Sequence, residues 1–437
     1  MYGLATSNGM NNTKIIAPKL VSDPIWGMIN IRPVLPIVES PEFQQLGYKY
    51  QLGMTFLTFP SATHTRKAHS LGAYHATKDL CRRWREFGMI NKEEAKAIPI
   101  YGLLHDIGHY PFSHVTEPLF PISHDDKGIK IVEGLKSQIE KCGLDFELVR
   151  SLSNHTNHLY LAVHDKNLGM EKLDYLERDG RSTITDRPPG INYLRPYIYW
   201  INGQIVIDEK AIDVAKDAQD FYAKMFKNVY LRKNSVIAQR HFQKMVYLLL
   251  QSEEMTIQEL ETMNDFELLG RLSVAKDLVV QELFRALKNR ELFREGVVFR
   301  YKDFVHAERV AAKHITVMGM DDSAMLKFTD SKLLSDHNQA SLLEVETKIA
   351  KALGLEAKDI LLITVVSPER FITQDISILR SNGEVSSLKK DYPNHFSDLA
   401  ETAKSYTALR ICSSEKHREK LSKNAELVRD IIFDAVN

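Results

Sequence analysis

An apolar run from Ile98 to Ile107 carries an adjacent histidine and aspartate, His105-Asp106, and is broken by Gly108 and Pro111. No other stretch constrains the fold more. A helix that is apolar on all sides has to be buried, and here it takes two polar groups inward with it. The segment before it opens on His69. It places Leu71, Tyr74, Leu80, Trp84 and Phe87 at helical spacing and stops at Gly88. Asn91 then serves as N-cap for a helix from Lys92. Similar periodicity predicts helices over 125–142, 169–180, 211–233, 236–251, 257–263 and 274–288. Asn202-Gly203 joins two strand-like runs, 197–200 and 204–207, as a hairpin. After about residue 290 the texture changes. Short β-branched runs at 313–318, 360–366, 376–379 and 408–412 alternate with helical stretches at 341–353, 396–405 and 415–436. The expectation is a mainly α protein. It has a flexible tail at 1–13, a helical bundle over 14–290 and a smaller C-terminal α+β region over 291–437.

Composition excludes several classes. Lys+Arg and Asp+Glu both number 57, so the net charge is zero, which disfavours a nucleic-acid partner. Cys81, Cys142 and Cys412 are far apart and form no CxxC, which argues against a disulfide framework or a cysteine zinc site. The longest apolar runs, such as 246–250, fall far short of the roughly 20 residues that span a membrane. The first residues lack the apolar core of a signal peptide. A cytoplasmic protein with no membrane partner is expected.

Histidine is concentrated around the same helices. His64, His69, His105, His109, His114 and His124 are six of the sixteen in the chain. A lone histidine is most often a cap or a hydrogen-bonded core residue, but a cluster beside a carboxylate is metal chemistry. His105 and Asp106 point about 100° apart on a helix and converge on an ion beyond its edge. His69 adds a second imidazole, and a carboxylate on a later helix would complete the set. Mixed nitrogen and oxygen donors suit a transition metal better than calcium. Such an ion acidifies water and polarises a phosphoryl oxygen.

Several longer stretches carry a resemblance. They are Asp23-Pro-Ile-Trp-Gly27, Ser40-Pro-Glu-Phe-Gln-Gln-Leu46, Tyr50-Gln-Leu-Gly53, Phe59-Pro-Ser-Ala-Thr-His-Thr-Arg66, His69-Ser-Leu-Gly72, Leu104-His-Asp-Ile-Gly-His-Tyr-Pro-Phe-Ser-His114 and Lys172-Leu-Asp-Tyr-Leu-Glu-Arg-Asp179. In this order they resemble the HD-domain phosphohydrolases, specifically the deoxynucleoside triphosphate triphosphohydrolase branch. The resemblance implies one divalent metal ion (Mn, Fe, Co, Ni, Zn or Mg) held by His69, His105 and Asp106. Glu171 stands where the family has its final aspartate ligand. It implies phosphate contacts from Arg66 and Lys172, a nucleoside pocket lined by Gln51 and Leu52, a deoxyribose platform at Tyr175 and a sugar-hydroxyl acceptor at Asp179. His114 matches the catalytic histidine, with His109 as second candidate. Glu117 and His124 take the places of an orienting aspartate and a further histidine. A histidine is suited to protonating a departing 5′-oxygen near neutral pH. The implied reaction is water attack at the α-phosphorus of a dNTP, giving deoxynucleoside and triphosphate. The alternatives are the same chemistry on a nucleoside monophosphate or other phosphate ester, or a non-catalytic nucleotide-binding module. Assembly into dimers or tetramers is implied as well.

Two departures bear on function. Tyr222 and Phe226 occupy positions where human-like members carry an arginine and a histidine toward the substrate, leaving Lys224 or Lys227 as replacement phosphate contacts. Glu39 and Gly47 stand where guanine-activated relatives carry an aspartate and an arginine, so activation by GTP through that site is expected to be absent or altered.

Overall fold

The computed structural model describes residues 17–305, 314–370 and 373–436. The tail expected at 1–13 lies outside the described residues. Two central helices set the architecture. Thr65 caps α1 (Arg66–Glu86) by accepting the Ala68 N–H at 3.4 Å. Asn91 and Glu94 form a reciprocal capping box at the start of α2 (Lys92–Leu104). Leu80, Cys81 and Trp84 of α1 and Ile98 and Leu103 of α2 are wholly buried in the contact between them. Burial of side chains this large contributes about 1.5–3 kcal/mol each. Around this pair lie α3 (His124–Gly134) and α4 (Met170–Thr183), then α5 (Ile212–Met225), α6 (Lys233–Gln251) and α7 (Asp265–Ser273).

Glycine permits the two closest approaches. A Cβ on Gly72 would lie 2.0 Å from Asp174 Oδ1, so only glycine lets α4 bring that carboxylate against α1. A Cβ on Gly108 would lie 2.0 Å from the His124 carbonyl, so only glycine lets the start of α3 close over the end of α2.

The strands are few. The antiparallel pair β1 (Leu20–Asp23) and β2 (Gly27–Asn30) is a hairpin that the sequence reading left within the helical body. The Asn202-Gly203 turn forms as expected and joins β3 (Ile198–Ile201) to β4 (Gln204–Asp208). C-terminal strands β5 (Arg294–Tyr301), β6 (Thr316–Met320), β7 (Ile360–Ile363) and β10 (Ala408–Ser413) make a sheet of order β6-β5-β10-β7. It is covered by α8 (Gln339–Ala352) and by the helices Glu415–Lys423 and Ala425–Val436. Strands β8 (Ser377–Leu379) and β9 (Val385–Ser387) instead complete the β3–β4 sheet, with β8 parallel to β4. The fold is mainly α with a C-terminal α+β part, as the sequence pattern predicts. Among the described residues no helix is long and apolar enough to cross a membrane, and all three cysteines are free.

Three helices expected as single pieces are broken. The 125–142 stretch divides at Leu135 and the 415–436 stretch at Asn424. The 211–233 helix passes into a π-helical turn over Phe226–Tyr230, where the Leu231 N–H reaches back to the Phe226 carbonyl. The extra residue in that turn presents Phe226 and Tyr230 to one cavity, a use typical of π-turns at functional sites. Strand β5 was not expected. Its central Val297, Val298 and Phe299 are buried on both faces, so it shows no alternation to read.

Candidate active site

The four metal-ligand candidates come from three helices. His69 lies in the first turn of α1, His105 caps the C-terminus of α2 with Asp106 following it, and Glu171 lies in the first turn of α4. His69 Nε2 and His105 Nε2 face each other at 3.1 Å. Asp106 Oδ2 lies 3.7 Å from His69 Nε2, and its Oδ1 lies 3.4 Å from His105 Nε2. These three residues bring ligand atoms within 4.8 Å of one another. Glu171 borders the group, with Oε2 at 3.1 Å from His105 Nε2.

The other imidazole nitrogens decide what this arrangement can hold. His69 Nδ1 meets Asp174 Oδ2 at 2.8 Å, and His105 Nδ1 meets the Gly102 carbonyl at 2.9 Å. Both partners are acceptors, which favours the Nδ1–H form of each ring and turns each Nε2 toward the centre. Burial opposes charge on His69, but Asp174 and Asp106 raise it above its ordinary value, so the two facing Nε2 atoms require a cation between them, either a shared proton or a metal ion. Neighbouring ligands of an ion with metal–nitrogen bonds of about 2.1 Å lie about 3 Å apart. The donor set therefore fits a divalent ion, and partners on Nδ1 are the usual way of fixing metal-binding imidazoles. Burial opposes the charge on Asp106, yet Arg66, His105 and His109 hold it well below the usual carboxylate range. Burial likewise opposes charge on Glu171, but His164, 2.7 Å from Oε1, brings it down to about 2.

A cavity of about 520 Å³ opens above this group. Gln51, Leu52, Arg66, Tyr175, Asp179, His109, His114 and His124 line it. Gln51 is buried with its Oε1 unpartnered, as is His109 with its Nδ1. Burial and the Arg66 charge hold His109 far below the ordinary histidine range, so its ring is neutral. Glu117 bridges the other two histidines, with Oε2 at 2.8 Å from His114 Nδ1 and Oε1 at 2.6 Å from His124 Nδ1. Burial works against charge on His124, but the Glu117 hydrogen bond raises it above its ordinary value. His124 stacks on His109 at 3.9 Å.

The cations are less available than the sequence implies. Arg66 donates to Asp106 Oδ2 at 2.6 Å, to Ser113 Oγ at 2.9 Å and to the Gln51 carbonyl at 3.3 Å. Lys172 is not brought to the cavity wall. Its ammonium donates to the Lys166 carbonyl and lies 3.4 Å from the centre of the Tyr222 ring, and burial lowers it to about 7. Lys224 pairs with Asp186 at 2.5 Å on the exterior, and Lys227 is exposed outside the cavity lining, so neither replaces the missing arginine and histidine. Asp179 has one partner on each oxygen, His64 at 2.7 Å and the Tyr230 hydroxyl at 2.8 Å.

Sequence reasoning missed Asp174 and His164. Asp174 is wholly buried and also accepts from Trp26 Nε1 at 2.6 Å and from Arg178. Its spacing from Arg178 on one helix, four residues, was the available signal. His164 lies on the short helix before α4 and had no signal beyond its residue type.

These features define a class, a helical bundle whose buried histidine–aspartate centre lies under a cavity lined by histidines and aromatic rings. The chain carries an HD domain followed by an HD associated region. Residues 66–183 match the HD domain and residues 196–325 match the HD associated region. An uncharacterized protein of Methanocaldococcus jannaschii is 27% identical over 284 residues, 63% of this chain and 58% of that protein. Deoxynucleoside triphosphate triphosphohydrolase SAMHD1 of Homo sapiens is 34% identical over 144 residues, 29% of this chain and 23% of that one. Matches to the first curated relatives span about half the length of those proteins. A crystal structure of a phosphohydrolase from Bacteroides thetaiotaomicron superposes with a TM-score of 0.69 at 22% identity, covering 91% of this chain and 99% of that one. At that identity the likeness concerns the fold.

Proposed function

We propose that this protein is a metal-dependent phosphohydrolase that cleaves a deoxynucleoside triphosphate at the α-phosphorus, releasing deoxynucleoside and triphosphate. The observation that carries the reading is the pair of Nε2 atoms facing across 3.1 Å beside Asp106 and Glu171, with both Nδ1 atoms committed to acceptors elsewhere. His69, His105, Asp106 and Glu171 are the residues that would hold the ion. When bound, a divalent ion polarises a phosphoryl oxygen and lowers the pKa of water. Asp174 fixes the His69 tautomer. Arg66, held by Ser113 and the Gln51 carbonyl, places a fixed positive charge beside the reacting phosphate. His114, at the mouth of the cavity, serves as the acid that protonates the departing 5′-oxygen; burial lowers its pKa below the ordinary histidine value, against the Glu117 hydrogen bond that raises it. Glu117 holds that ring by Nδ1 and ties it to His124. Gln51 and Leu52 border the nucleoside, and the Tyr175 ring underlies the sugar.

A second reading is the same chemistry on a shorter phosphate ester. It is favoured by the Tyr222 ring over Lys172 and by the outward pairing of Lys224, which leave the main cavity few cations for distal phosphates. One screen decides between them. Purified protein is offered the four dNTPs, the NTPs and the dNMPs with Mg, Mn, Co or Ni, and products are separated by chromatography. Triphosphate release from dNTPs is expected, with Asp106→Ala reducing turnover to background and added GTP leaving the rate unchanged. Hydrolysis of dNMPs alone would establish the second reading. Activity that survives Asp106→Ala would defeat both. Assembly into dimers or tetramers accompanies the first reading.

A further inference from the structure

A second cavity, of about 230 Å³, lies behind the first. His114, Val115, Tyr230 and Gln239 line both, so the two share a wall. Most of the rest of its lining comes from α6 and from the β7–β10 side of the C-terminal sheet, with Arg240 on the helix and Arg410 on the strand.

Arg240 is 5% exposed. Its Nε donates to the Leu362 carbonyl at 3.1 Å and its Nη2 to Glu346 at 3.3 Å, while Nη1 is buried with no partner. A charged donor left unsatisfied in the interior is costly unless a ligand completes it. Arg410 commits Nε to Glu295 at 2.9 Å and Nη1 to the Ala408 carbonyl at 3.0 Å. Arg300, opposite Ala408 on β5, donates to the Ser405 carbonyl and also has a buried Nε without a partner.

The local charges do not balance. Glu346 serves both Arg240 and Lys244, and Glu295 serves both Arg410 and Lys233. Asp336 is the one carboxylate among the described lining residues, and it accepts from Thr364 at 2.6 Å. The volume falls below the ~300 Å³ at which pockets for drug-sized molecules begin. A whole nucleotide does not fit, but a small anion does. Arginine forks suit the tetrahedral oxygens of phosphate.

We propose that this side chamber binds a small inorganic phosphate-type oxyanion, orthophosphate or pyrophosphate, between Arg240 and Arg410. The anion comes either from solution or as the distal phosphates of a nucleotide in the main cavity. The site itself does not depend on the hydrolytic reading.

The test is calorimetric titration of the full chain with sodium pyrophosphate in EDTA, so that no metal centre contributes. Saturable one-to-one binding is expected, weakened at least tenfold by Arg410→Gln and by Arg240→Gln. Asp336→Asn removes the opposing charge and is expected to tighten binding several-fold, a gain that misfolding does not produce. No saturable binding to the folded protein would overturn the proposal, as would affinities unchanged in both Arg410→Gln and Asp336→Asn. Competition separates the sources. If the chamber holds distal phosphates, a dNTP displaces pyrophosphate and a dNMP does not; if it holds the free ion, neither does. Protein that hydrolyses nucleotides but binds no pyrophosphate defeats this proposal alone, and protein that binds pyrophosphate but hydrolyses nothing defeats the hydrolase reading alone.

Discussion

His69 presents Nε2 to the centre because Asp174 accepts the hydrogen bond of its Nδ1–H at 2.8 Å. Asp174 is itself held by Arg178 and by Trp26 Nε1, and it is allowed this close by the missing side chain at Gly72. Replacing it with Asn keeps the shape and removes the carboxylate charge that makes His69 a basic donor. Asp174→Asn is expected to weaken divalent-metal binding about 10–100-fold, the usual cost of losing such a partner. Competition against a chelating dye measures this, and circular dichroism checks that the helices remain. Metal affinity equal to the parent would remove Asp174 from its positioning role. His105 and Asp106 were legible in the sequence as an adjacent histidine and acid and His69 as a second imidazole upstream, whereas Glu171 was assigned only through the family resemblance. Asp174 was not legible, since an acid in a helix reads as a solvated charge until tertiary structure buries it. Lys172 shows the converse. Its motif was legible, but the Tyr222 ring that covers it comes from a helix some fifty residues away.

At the level of elements, the segment from His109 to His114 does not hold its own shape. Phe112 and Ser113 are successive residues with φ of 55° and 53°, a left-handed conformation that costs non-glycine residues about 1–3 kcal/mol each. They are restrained from outside. Asp265, at the start of α7, accepts the Phe112 N–H at 2.6 Å on Oδ1 and the Tyr50 N–H at 2.7 Å on Oδ2. One carboxylate thus ties the histidine loop to the segment carrying Gln51 and Leu52. Asn has only one acceptor oxygen, so Asp265→Asn leaves one buried N–H facing an NH₂ group. A loss of roughly 1–3 kcal/mol is expected in urea unfolding, against less than about 0.5 kcal/mol for the exposed control Arg82→Ala. Equal midpoints for the two variants would show that the tie contributes nothing. The helices were legible from periodicity and caps, as at Asn91, because those signals are local. Strand β5 was not, because its partner β10 lies far along the chain, and β1 and β2 are four-residue strands too short to show a period.

At the scale of the whole molecule, α6 is the member that joins the parts. Its Lys244 and Arg240 reach Glu346 of α8, and its apolar face fills a core shared with β7 and β10. His241 lies between these contacts, wholly buried, with its ring edge-on to Phe293 at 5.1 Å. Burial lowers its pKa from 6.5 to about 3. The sign follows directly. Below about pH 6.5 the unfolded chain takes up a proton at this position and the folded protein does not, so stability falls as pH drops through the window from 6.5 to 3. The expected slope from this one group is roughly 1.4 kcal/mol per pH unit. Other carboxylates and histidines titrate in the same range, so the measurement has to be a difference. Urea unfolding of the parent and of His241→Leu, between pH 7 and pH 4 and with metal removed by EDTA, gives two stability curves. The variant is expected to lose less stability on acidification, so that the curves converge or cross as the pH falls. Parallel curves across that range would mean that His241 takes its proton equally well in both states, and that the helix joining the two parts of the fold is not where acid acts on this protein.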